Sequence, residues 1–146
     1  MHKYPLILMG GLAVLSWAVS ILCPNLLASG TTVNIVGWVL LSCGMLLVIV
    51  TGGQFLLKET TWNPAKGPSR LVTTGLYSSS RNPMYIGMLL TLTGFQLVLG
   101  SLLGLLFSLY YFLYLNMKII PNEERIAENL FGEEYRQYRS RTRRWI

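Results

Sequence analysis

Polar and apolar positions segregate along this chain into long blocks. Residues 4–57 contain no Asp, Glu, Lys, Arg or His, and a second run without them occupies 82–117. At about 1.5 Å per residue, a bilayer core of about 30 Å needs roughly 20 apolar residues. The first run is long enough for two spans and a loop, and the second for two short spans. The pattern predicts an all-α fold: a polytopic membrane bundle of about four transmembrane helices, with a short amphipathic cytoplasmic helix at the C-terminal end.

Local signals place the spans. The first is expected over 5–23, stopped by Pro24-Asn25. An uncharged link, 25–32, leads to a second over 33–57, and Lys58 opens a polar segment running to Ser80. The third is expected to begin at Pro83 or Met84, because proline is tolerated in a first turn. The second run must fold back on itself, with its turn at 96–101, and span four then ends near Met117. In the charged tail Asn122 is expected to cap a short helix, with Glu123 and Glu124 in its first turn. Ile126, Ala127, Leu130 and Phe131 would form its apolar face. The whole reads as one membrane domain, 1–146, with 1–57 as scaffold and 58–146 as the functional core.

Charge adds an orientation. The chain has 12 Lys and Arg against 6 Asp and Glu, a formal net charge of +6. With four spans, Lys3, Lys58, Lys66, Arg70, Arg81, Lys118 and every later arginine fall on one side, which puts both termini in the cytoplasm. Arg136, Arg139, Arg141, Arg143 and Arg144 interleave with Tyr135, Tyr138 and Trp145. Beside a membrane face that mixture reads as topology signal and contact with anionic lipid headgroups, not as a nucleic-acid site. A signal peptide is disfavoured, since the first apolar stretch is too long and no A-x-A-like site follows it. Cys23 and Cys43 lie in apolar surroundings without metal-ligand spacing. Small residues such as Gly37, Gly44, Gly100 and Gly104 let helices approach closely in lipid, and they leave a homodimer open.

The chemistry is bounded by what is missing. There is no Asp, and His2 is the sole histidine. That removes Ser-His-Asp chemistry and most metal sites. No charge lies within a span, which argues against a proton-coupled small transporter, with Glu59 the only nearby carboxylate. A transporter or a non-catalytic membrane protein is nevertheless the competing class. Read alone, Glu123 and Glu124 are a helix cap.

The ordered set S-R-N-P-M-Y-I-G, then E-E-R, then F-G-E-E-Y-R-Q-Y resembles the isoprenylcysteine carboxyl methyltransferase and phospholipid methyltransferase superfamily of integral membrane enzymes. Arg81, Pro83, Tyr85 and Gly87 match the family's R-H-P-x-Y-x-G. Glu123 and Glu124 match its acidic pair, and Gly132, Glu134, Tyr135 and Tyr138 its tail motif. Asn82 stands where the carboxyl methyltransferases have His, and an amide cannot titrate near neutrality. The resemblance implies methyl transfer from S-adenosylmethionine to a lipophilic, membrane-dissolved carboxylate, thiol or amine at the cytoplasmic face. It also implies a cofactor site of Arg81, Asn82, Pro83, Tyr85, Gly87, Glu123, Glu124 and Tyr135, with Arg81 and Glu123 closest to the chemistry. Glu123 or Glu124 would take the ribose diol or the ammonium, and Arg81 would fork onto the carboxylate. The face of Tyr85 would favour the sulfonium. Gly87 would admit the cofactor or a neighbouring helix. Methyl transfer is an in-line displacement that runs on alignment, so neither His nor Asp is required.

Overall fold

The computed structural model describes residues 5–22, 30–57 and 70–146. His2, Lys3, Cys23, Pro24, Asn25, Lys58, Glu59 and Lys66, with the expectations attached to them, lie outside the described residues. Within them the chain is helical: α1 (Pro5–Leu22), α2 (Thr31–Leu57), a 3-10 turn (Gly75–Ser78), α3 (Pro83–Val98), α4 (Leu102–Tyr114), α5 (Ile120–Phe131) and α6 (Glu133–Arg141). The expected all-α membrane bundle is what is observed.

Pro5–Leu22, Thr31–Gln54 and Leu103–Phe131 are long and apolar enough to cross a bilayer. α3 is apolar too, but its 16 residues reach only about 24 Å, less than a hydrocarbon core of about 30 Å. Ile7, Trp17, Leu46, Ile49, Leu106 and Leu109 all point outward from the bundle. Outer faces so apolar belong in lipid, which makes this an integral membrane protein.

α3 is the central helix. Against α2 it forms a seam of small residues: a Cβ on Gly44 would run into the Gly87 carbonyl and Thr91, and one on Gly94 into Leu41 and the Gly37 carbonyl. Backbones can approach this closely only without side chains between them. On its other side α3 turns back into α4. The N–H of Ser101 bonds the Gln96 carbonyl and that of Gly100 bonds Leu97, a Schellman closure with Gly100 at φ +62. Ser101 then caps α4, accepting from the Gly104 N–H at 3.1 Å. The turn expected at 96–101 is therefore present, and two fold signals converge on it. α1 lies across this hairpin, tied by Tyr111 Oη donating to the Pro5 carbonyl at 3.1 Å and by Gln96 Nε2 donating to Ser16 Oγ at 2.7 Å.

The helix of span four does not stop at the end of the charge-free run near Met117. The backbone stays helical from α4 into α5 through a π segment, Leu115–Ile119, in which the Ile120 N–H bonds the Leu115 carbonyl. Proline has no N–H and crowds the preceding turn. Widening that turn accommodates Pro121 without a break. Asn122 is accordingly no cap: it lies inside the helix, where its Oδ1 accepts from Arg125 Nη2 at 3.0 Å. Ile126, Ala127 and Phe131 are half-buried, while Leu130 is exposed.

Candidate active site

The polar residues collect where α3 begins and α5 follows the charge-free part of α4. Asn82 holds the N-cap position of α3 and Pro83 its first turn, yet Asn82 makes no side-chain cap bond. Its amide is used elsewhere. Nδ2 donates to the Arg144 carbonyl at 2.9 Å, the Arg81 N–H donates to the Arg143 carbonyl at 2.9 Å, and Arg81 Nη1 donates to the Thr142 carbonyl at 2.7 Å. Three consecutive carbonyls after α6 are thus received by two residues at the start of α3. Thr142 Oγ1 donates to the Ser78 carbonyl at 3.4 Å and a lone β-bridge joins Ser80 to Arg143, so residues 142–145 form a strap over this threshold.

The two adjacent glutamates have opposite surroundings. Glu124 is clamped: Arg81 Nη2 reaches Oε1 at 2.8 Å, and Arg144 donates from Nε to Oε1 at 3.1 Å and from Nη2 to Oε2 at 2.6 Å. Burial would push its carboxyl up, but hydrogen bonds and charge from Arg144 and Arg81 outweigh it and hold Glu124 below the usual carboxylate range. Glu123 has no basic partner among the described residues, and Tyr85 Oη donates to its Oε1 at 2.6 Å. Burial raises the Glu123 carboxyl to about 7, against the downward pull of the Tyr85 hydrogen bond and with a further push from the Glu124 charge. Tyr85, Met88, Leu92, Tyr111, Leu115, Ile119 and Ile120 form the packed core beneath it.

Of the residues singled out in the sequence, Arg81, Asn82, Tyr85, Glu123 and Glu124 meet in this one hydrogen-bonded cluster. Pro83 is buried in the first turn of α3. Gly87 faces the α2 backbone, the neighbouring-helix alternative. Tyr135 is buried and lies edge-on to Tyr138, with ring centroids 6.3 Å apart. Sequence reasoning missed Arg144, Asn116 and Trp145. Asn116 Oδ1 accepts from Trp145 Nε1 at 3.2 Å and from Arg144 Nη1 at 3.4 Å. The signal for Asn116 was an amide inside an otherwise apolar helix, and for Arg144 there was none, since it is one of a run of arginines.

A carboxylate in aromatic surroundings suits a cationic or hydroxyl-rich ligand. Arg81 Nε is buried with no hydrogen-bond partner, which leaves one guanidinium donor for a ligand carboxylate. These features fit S-adenosylmethionine, which carries an ammonium, a carboxylate and a ribose diol.

Comparison with known proteins bears on most of the chain. The family model described as phospholipid methyltransferase matches residues 32–134. An uncharacterized protein of Haemophilus influenzae is 40% identical over 63 residues, 43% of this chain and 100% of that protein. The protein-S-isoprenylcysteine O-methyltransferase of Schizosaccharomyces pombe is 38% identical over 72 residues, 49% of this chain. Methanethiol S-methyltransferase 1 of Bradyrhizobium diazoefficiens is 33% identical over 122 residues, 81% of this chain. The matches span only 30% and 41% of those two enzymes. No solved structure matches. With well over half its length matched by the family model, this chain belongs to the phospholipid methyltransferase family.

Proposed function

We propose that this chain transfers a methyl group from S-adenosylmethionine to a lipophilic, membrane-dissolved acceptor at the cytoplasmic face. The observation that carries the reading is the contrast within the acidic pair. Glu124 is held by two arginines, while Glu123, one residue away, has only the Tyr85 hydroxyl among the described residues. A carboxylate partly buried without a cationic partner is costly unless a ligand uses it.

In this reading Glu123 binds the ammonium or ribose diol of the donor, and Arg81 Nε binds its carboxylate. Tyr85 orients Glu123, and the surrounding tyrosines exclude water. When bound, S-adenosylmethionine supplies an electrophilic methyl on a sulfonium. A thiol or ammonium acceptor must also lose a proton, and a carboxyl poised near neutrality can take it; a carboxylate acceptor needs no base. The similar enzymes are named for isoprenylcysteine and methanethiol acceptors, which is consistent with a small or lipid-linked sulfur or carboxyl compound here.

The topology proposed with it has four passes, α3 being the short one, and both termini cytoplasmic. Residues 1–57 are scaffold and 58–146 the methyltransferase core. The test is to supply S-adenosylmethionine carrying a labelled methyl to membranes with and without the protein. Label in a lipid, thioether or ester that depends on the protein supports the reading. No such product from correctly inserted protein would contradict it.

A further inference from the structure

The strap over the start of α3 is more than a tether, because its third residue completes the carboxylate cluster. Arg144 spends three donor groups on two partners: Nε and Nη2 fork onto Glu124, and Nη1 reaches Asn116 Oδ1 at 3.4 Å. Asn116 and Glu124 are eight positions apart, about 80° around a regular α-helix at 3.6 residues per turn. The π segment, which contains Asn116 and ends before Glu124, widens the turn and brings the two closer to line. One guanidinium can then read both. Trp145 secures the same seat, its Nε1 on Asn116 Oδ1 at 3.2 Å and its ring 5.2 Å from that of Phe112.

We propose that Arg144 is a positioning residue for methyl transfer: it locks the strap 142–145 over the start of α3 and pins Glu124, so that Glu123 is the one carboxylate presented to the donor. The proposal rests on the reading of Glu123 as a donor ligand. Arg144 acts through Glu124, not by touching the donor. Its role requires a planar fork, since an ammonium cannot hold both carboxylate oxygens and the Asn116 amide together.

Among the described residues the groups electrostatically coupled to Glu123 are Tyr85 from α3, Tyr111 from α4, Tyr77 from the 3-10 turn and Glu124 from its own helix. None is cationic. The two arginines therefore influence Glu123 chiefly by neutralising its neighbour. Without Arg144, more of the Glu124 charge is uncompensated, and a nearby like charge makes ionisation of Glu123 harder. Donor binding that needs ionised Glu123 should then move to higher pH.

The experiment titrates the full-length parent, Arg144→Ala and Arg144→Lys with S-adenosylhomocysteine from mildly acidic to mildly alkaline pH. For Arg144→Ala the expected result is roughly tenfold weaker binding at neutrality, with the midpoint of the pH profile raised by about one unit. Arg144→Lys keeps the charge and loses the fork: its midpoint should return toward the parent's while its affinity stays several-fold weaker. A merely structural Arg144 would weaken binding equally at every pH. That uniform loss, or no loss, overturns the proposal. Should Arg144→Ala fail to fold, Arg144→Lys decides: parent-like affinity at neutrality overturns the requirement for a fork. A folded parent that binds no S-adenosylhomocysteine overturns the donor reading itself, a result distinct from a parent that binds and variants that match it.

Discussion

The Tyr85 hydroxyl donates a 2.6 Å hydrogen bond to Oε1 of Glu123, joining the third residue of α3 to the acidic pair of α5. Tyr85 is buried, and its hydrogen bond favours the ionised form of a carboxyl that its surroundings otherwise keep protonated. A hydrogen bond to a charged group contributes about 1.5–3 kcal/mol. Tyr85→Phe should therefore raise the pH at which Glu123 ionises. The pH profile of S-adenosylhomocysteine binding should shift upward by about one unit or more. A profile superimposable on the parent's would mean that Glu123 is not the group being titrated.

The same carboxyl makes stability depend on pH. Its folded value of about 7 lies above its ordinary value of 4.5. Between those limits the native state binds more protons than the unfolded state, so stability is highest in mild acid and falls as pH rises through 7. Glu123→Gln removes that penalty. The variant should be more stable than the parent by about 3 kcal/mol above neutrality, with the difference vanishing toward pH 4.5. Denaturant unfolding in mild detergent at acidic and alkaline pH measures this. Equal stability of the two proteins in alkali would show that burial of Glu123 carries no such cost.

The α2–α3 seam sets the position of the whole threshold, so it should tolerate no side chains. Gly44→Leu pushes into the Gly87 carbonyl and Thr91, whereas Gly10 has nothing within 4 Å of an added Cβ. Overpacking against backbone should cost about 2 kcal/mol or more, while Gly10→Leu, facing open space, should be nearly neutral. Comparing thermal unfolding of the two variants tests this, and equal melting temperatures would mean that the seam is not tight.

Much of this architecture was legible in the sequence because membrane helices announce themselves by length and absence of charge. The turn at Gly100 was legible because a run too long for one span must fold back. Pro83 marked the start of α3, and Arg81, Tyr85 and the glutamate pair carried the family likeness. The join of α4 to α5 was not legible, because Lys118 and Asn122 read as the start of a separate tail helix, while a π turn lets the helix run on through Pro121. Asn82 read as a histidine substitute, yet its amide holds a carbonyl 62 positions away. Such pairings have no local signature. Arg144 was hidden for a related reason: one arginine among five says which side of the membrane it lies on, not which of them turns inward.

Topology is open to a direct chemical test in a background lacking Cys23 and Cys43. With four passes and cytoplasmic termini, Ser29→Cys should react with an impermeant thiol reagent in intact cells. Ser140→Cys, at an exposed site on α6, should react only after permeabilisation. Both labelling from the same side would require an odd count of passes between them to be abandoned and the spans redrawn.

The central claim, that Glu123 holds the methyl donor, is tested most directly by calorimetry with S-adenosylhomocysteine at neutral pH on the parent, Glu123→Gln and Glu128→Gln. Glu128 is the control because its side chain is 38% exposed and is paired only loosely with Arg139 at 3.7 Å. The account predicts micromolar binding by the parent and a loss of roughly 10- to 150-fold in Glu123→Gln, from a charge-assisted bond worth about 1.5–3 kcal/mol. Glu128→Gln should bind like the parent. Parent-like affinity in Glu123→Gln, or no binding by a folded parent, would contradict it.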